Sequence, residues 1–105
     1  MIDLKNLQKR VYKNKVKKGF NVTDIPLEFS LLHEEVSEAF RAYRKKLSDL
    51  PEELADIAIY LLGISEILGI DLQKEIVRKI KINEKRKYKK INGTFVRVDD
   101  NEKDS

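Results

Sequence analysis

Apolar residues recur at helical spacing along most of this chain, and strict alternation is nearly absent. Leu4, Leu7 and Val11 mark one stripe of a helix over about residues 3–18, with Gly19 as its stop and Asn21 to Asp24 as a loop. A second helix is predicted over about 26–46, with Thr23 or Asp24 as cap and Pro26 in the first turn. A third spans about 51–68. Asp49 and Glu52 have capping-box spacing before it, and Gly69 suits the left-handed position after it. Asp71 can cap a fourth helix over about 72–88. Asn92-Gly93 reads as a turn, followed by a short extended piece over 94–98.

Four short-looped helices predict an all-α fold, a four-helix antiparallel bundle spanning residues 1–98, with a disordered acidic tail over 99–105. The third helix is unusual. Between Leu54 and Leu68 its only charged residues are Asp56 and Glu66, and apolar residues lie all around it. Such a helix should be central, and three others of this size leave it partly uncovered. Self-association as a homo-oligomer, at least a homodimer, is therefore expected.

The chemistry shows as carboxylates on apolar faces. On a wheel of the second helix, Ile25, Leu32, Val36, Ala39 and Tyr43 set the core direction. Glu35 falls inside that apolar sector and Glu38 at its edge, whereas Glu34 points away. On the third helix Glu53 aligns with Tyr60 and Ile64, and Asp56 lies beside Gly63 and Ile67. Each helix thus carries two inward acids three residues apart. Buried carboxylates that lack partners are costly, and four close together repel one another. Basic partners, protonation or a bound cation would each relieve them. With oxygen ligands alone, a hard divalent ion is favoured, Mg²⁺ or Mn²⁺.

The fourth helix brings Lys79, Asn83 and Arg86 to one face at i, i+4 and i+7. They can contact phosphate, or neutralise the acids. Tyr60 follows Asp56 by one turn of the third helix. His33 reads as structural or exposed.

Charge adds a phosphate-bearing partner to the picture. The net charge is +4 over 105 residues. Residues 1–18 hold seven Lys/Arg, and residues 74–90 hold nine against Glu75 and Glu84. The alternative reading is a basic helical nucleic-acid-binding or interaction module without catalysis, but aromatic interleaving is sparse and nucleic acid is not the expected partner. The absence of cysteine removes disulfides and thiolate metal sites. The longest apolar run, Ile57 to Ile64, is too short to cross a bilayer, and no signal peptide is visible, so a cytoplasmic location is expected.

Glu34-Glu35-Val36-Ser37-Glu38 followed by Glu53-Leu54-Ala55-Asp56 resembles the E-E-x-x-E and E-x-x-D motifs of the MazG-like branch of all-α NTP pyrophosphatases. Lys79, Asn83 and Arg86 match a K-x-x-x-N-x-x-R signature near the end of that pattern, and the likeness covers about residues 27–90. The resemblance implies Mg²⁺-dependent cleavage of nucleoside triphosphates to monophosphate and pyrophosphate, a role in nucleotide housecleaning, and assembly as dimers or tetramers. It implies Glu35, Glu38, Glu53 and Asp56 as metal ligands, Glu34, Glu35 and Glu38 as catalytic candidates, and Lys79, Asn83 and Arg86 as triphosphate contacts, and it calls for a nucleobase pocket that Tyr60, Phe20, Phe29 or Tyr12 could line.

Overall fold

The computed structural model describes residues 1–98. The elements are α1 (Leu4–Lys18), α2 (Ile25–Arg44), α3 (Leu50–Ile67), α4 (Leu72–Lys85), β1 (Lys87–Ile91) and β2 (Thr94–Val98). The chain divides into a unit over Met1–Gln73 and a second from Lys74 onward. The expected tail over 99–105 lies outside the described residues.

Side-chain chemistry explains most helix ends. The Asp3 carboxylate accepts from Lys5 N at 2.9 Å and starts α1, and Gly19 ends it at φ 74°. Of the two candidate caps for α2, Asp24 acts, accepting from Leu27 N at 3.1 Å. The capping box expected at Asp49 does not form: ψ is 6° there rather than extended, so the carboxylate makes no capping bond to the helix. Gly69 stands at φ 69° after α3, as expected.

Two corrections concern the second unit. The fourth helix ends at Lys85 rather than Tyr88, and Lys87–Ile91 pairs antiparallel with Thr94–Val98. Asn92 and Gly93, at φ 51° and 80°, are the two central residues of the connecting turn. Positive φ at both is the type I′ geometry that matches strand twist. Beside four helices, as expected, stands a hairpin whose first strand is too lysine-rich to announce itself.

In the first unit α3 packs against both α1 and α2. The buried residues are few: Ala39 and Ala42 from α2, Leu62, Gly63 and Ile64 from α3, and the polar Gln8, Glu28 and Ser65. Gln8 ties α1 down. Its amide donates to Ile70 O at 2.7 Å and Glu66 Oε1 at 3.2 Å, and its oxygen accepts from Leu72 N. Leu4 N adds a bond to Gln73 Oε1 at 2.9 Å.

The buried stripe of α2 is rotated from the one predicted. Glu28, Ala39 and Ala42 are its buried members and Glu35 is half-buried on its midline, about 50–60° from the predicted direction at 100° per residue. Val36 and Tyr43, expected inside, are exposed. With Phe29 and Phe40 they form a second apolar stripe, in which Phe40 is 59% and Tyr43 63% exposed. On α3 the buried stretch is Leu62 to Ser65, whereas Leu54, Ile59 and Leu61 are exposed. The helix expected to be central is covered by this chain on part of its surface.

Candidate metal and nucleotide site

The rotation of α2 brings Glu35 to the centre of its packed face, opposite α3. One carboxylate oxygen each from Glu35, Glu38 and Glu53 lies within 4.8 Å of the others. Glu35 and Glu53 are half-buried and Glu38 is exposed. Glu35 Oε2 and Glu53 Oε2 are buried without a hydrogen-bond partner. Such orphaned oxygens are uncommon in folded proteins and need a reason.

Burial, and then the neighbouring charge of Glu38, raises the Glu35 carboxyl above the usual carboxylate range, with Asp56, Glu53 and Glu34 adding to it. Burial and Glu38 act in the same direction on Glu53, and Asp49, left unused as a helix cap, contributes. Both shifts mean that negative charge is disfavoured here without a counter-ion. No lysine or arginine is paired with Glu35, Glu38 or Glu53 in the ion pairs among the described residues. Converging carboxylates, two of which keep an orphaned oxygen, fit a divalent cation.

Asp56 stands apart from the converging trio. It is exposed, although its charge acts on both Glu35 and Glu53. Glu34 and His33 are exposed. Tyr60 is half-buried, and its hydroxyl is raised by burial and then by Glu35, Glu28 and Asp56.

Tyr60 also walls a cleft of about 790 Å³ between α1 and α3. Leu7, Val11, Phe20 and Ile59 give it apolar walls, and Lys15 and Glu28 give it charge. Of the aromatics considered for a base pocket, Tyr60 and Phe20 line it, and Tyr12 and Phe29 do not. Glu28 is 1% exposed, is ion-paired with Lys15, and accepts from Asn21 Nδ2 at 3.1 Å. The Lys15 ammonium also sits 5.7 Å from the Tyr60 ring centre. Sequence reasoning missed Lys15, Asn21 and Glu28. Glu28 reads as a first-turn acid favoured by the helix dipole. The signal was its position seven residues before Glu35, on the same stripe.

Gly63 sets the width of this cleft. A methyl group placed there would meet Val11 Cγ1 at 3.4 Å and Lys15 Cδ at 3.6 Å, which those side chains can accommodate. Gly63→Ala should therefore stabilise the fold by up to about 1 kcal/mol through helix propensity. Thermal denaturation measures this, and a lower melting temperature would show that the approach of α1 to α3 is tighter than these distances.

In the second unit Lys79 and Asn83 are exposed on α4, and Arg86 follows its last residue. Arg86 N bonds back to Ile82 O at 3.2 Å, and its guanidinium donates to Asn83 Oδ1 at 3.3 Å. Asn83 and Arg86 are thus brought together.

No family model matches the chain. It is 34% identical over 73 residues to a dATP/dGTP diphosphohydrolase of Salmonella phage PMBT28, an alignment covering 62% of this chain and 25% of that protein. The chain therefore spans about a quarter of that relative's length. A solved structure, the cyanophage S-2L MazG-like pyrophosphohydrolase bound to dGDP and three catalytic Mn²⁺ ions per active site, superposes with a TM-score of 0.72. The match covers 94% of this chain and 100% of that one at 22% identity.

Proposed function

We propose that this chain, whose fold is that of a MazG-like pyrophosphohydrolase, hydrolyses nucleoside triphosphates to monophosphate and pyrophosphate with Mg²⁺ or Mn²⁺. The observation that carries the reading is the convergence of Glu35, Glu38 and Glu53 with two orphaned buried oxygens. The names of the two relatives make deoxypurine nucleotides the first substrates to test. A nucleotide-housecleaning role in the cytoplasm is part of the same proposal. Among the described residues no helix is long and apolar enough to cross a membrane.

Glu35, Glu38 and Glu53 would hold the cation, with Asp56 as a further ligand from the next turn of α3. A divalent ion bound there supplies charge neutralisation and polarisation of phosphate oxygens. The apolar cleft walls exclude water from one side of the substrate, and Tyr60 borders both acids and cleft. There the ring of Tyr60 and the Lys15 ammonium would meet the base, with Glu28 holding that ammonium in place. Lys79, Asn83 and Arg86 would meet the triphosphate and stabilise charge that develops on its oxygens. Glu34, Glu35 and Glu38 are the candidates to take the proton from the attacking water.

The test is a panel of ribo- and deoxyribonucleoside triphosphates with Mg²⁺ or with chelator, resolved for products. Monophosphate plus pyrophosphate, absent in chelator, is the expected result. Inorganic phosphate as first product would refute it.

Self-association belongs to the same reading. The Phe29, Val36, Phe40 and Tyr43 stripe is a broad apolar surface for a helix of this size to leave in water. We expect a homodimer or homotetramer in sedimentation at micromolar concentration, and a shift toward the monomer for Phe40→Glu. A monomeric parent would contradict it.

A further inference from the structure

We propose that the β1–β2 hairpin is a binding platform for single-stranded nucleic acid. The register pairs Tyr88 with Arg97 and Lys90 with Phe95, so these four side chains occupy one face in a checkerboard of rings and cations. Phe95 is 69% and Tyr88 54% exposed. The Lys90 ammonium lies over the Phe95 ring, 5.4 Å from its centre, which keeps a positive charge on one face of a ring that is otherwise exposed. Tyr88 and Phe95 are diagonal neighbours, a relation that separates side chains by about 7–8 Å. That is roughly twice the 3.4 Å rise of stacked bases, so two splayed bases can each take a ring.

Charge points to the same occupant. Residues 86–98 carry Arg86, Lys87, Lys89, Lys90 and Arg97 and no acid. The acids that follow, Asp99, Asp100, Glu102 and Asp104, lie beyond the described residues. Exposed rings with flanking cations match the physics of single-strand binders, in which bases stack on aromatics and cations track phosphates. A duplex keeps its bases stacked internally and offers such rings nothing. The type I′ turn fixes the register, so the platform is preformed. The sequence alone concealed this pattern: the turn separates Tyr88 and Lys90 from Phe95 and Arg97, and strand pairing is what interleaves them.

The inference is independent of catalysis and is tested in chelator. The chain has no tryptophan, so Phe95→Trp in the full-length protein gives a single indole that reports on the platform while remaining aromatic. An oligothymidylate of about twelve nucleotides, within the usual site size, should quench its emission saturably and in a salt-dependent way. By anisotropy of a labelled strand, Tyr88→Thr with Phe95→Thr should weaken binding about tenfold or more, since each base stacked on a ring contributes substantially. Threonine retains strand propensity, and circular dichroism checks the hairpin. Three results would each overturn the proposal. The first is the absence of binding, or binding that leaves the indole unquenched. The second is duplex binding of equal strength that the double variant does not change. The third is indole emission that depends on protein concentration without nucleic acid, which would assign the face to a second copy of this chain.

Discussion

Glu38→Gln should lower kcat/KM for triphosphate hydrolysis at least about a hundredfold, the scale on which lost electrostatic support is felt in active sites, and leave the helical content unchanged. Glu38 is exposed at the edge of the packed face of α2, so its loss disturbs no packing. Its oxygen nevertheless converges with those of Glu35 and Glu53. An amide keeps the shape but removes the anionic oxygen that a hard cation requires. Asp56→Asn is the companion variant. Its effect would come through the charge it places on Glu35 and Glu53 and through direct ligation, and we expect loss of turnover there too. Activity of Glu38→Gln within a few-fold of the parent would remove the carboxylate cluster from the mechanism.

Glu35→Gln should make the metal-free protein more stable while reducing its stabilisation by Mg²⁺. Burial and like charges raise the Glu35 carboxyl in the fold above its ordinary value. Between those two values the native state holds more protons than the unfolded chain, so stability falls as pH rises through that interval and stays lowered above it. Glu53 acts in the same sense. The metal-free parent should thus melt at a lower temperature at neutral pH than just below the carboxylate range, as far as these two groups govern it. A cation that binds only the native state reverses the loss. Glutamine is neutral throughout and removes the Glu35 part of the pH dependence. Calorimetry with chelator and with Mg²⁺, at two pH values, reads all of this. Equal pH dependence in parent and variant would show that Glu35 is not destabilised by its surroundings.

These expectations come from a site that was partly legible in the sequence. Glu35 and Glu53 stand out because a carboxylate on an apolar stripe breaks the helical pattern, and both lie where the pattern placed them. Asp56 shows the limit of such reasoning. Spacing of three residues puts it on the face of Glu53, but side-chain reach decides which oxygens converge, and spacing does not encode that. The α2 wheel failed for a related reason. Two apolar stripes share that helix, and averaging them pointed between the buried one and the exposed one. Lys15 and Glu28 were illegible because a charged pair ten or more residues apart in sequence looks like two solvated side chains until helices bring it inside. Strand β1 was hidden because Lys87–Ile91 continues the basic run of α4, and only Asn92-Gly93 and the pairing with β2 make it extended.

The Gln8 amide has a consequence for biosynthesis. Its partners, Glu66, Ile70 and Leu72, come about sixty residues later in the chain, whereas α2 and α3 are sequence neighbours able to pair as soon as both have emerged. During translation the first helix made has no buried amide contacts to form until the last of the first unit has left the ribosome. Its Lys15 end can pair with Glu28 early, but its Gln8 end docks late, against the closure entropy of that long loop. Because Leu7, beside Gln8, lines the cleft, that part of its wall is the last to be completed. Nascent chains in which α3 has emerged but Ile70 to Leu72 have not should therefore pair α2 with α3 while the Gln8 end of α1 stays undocked.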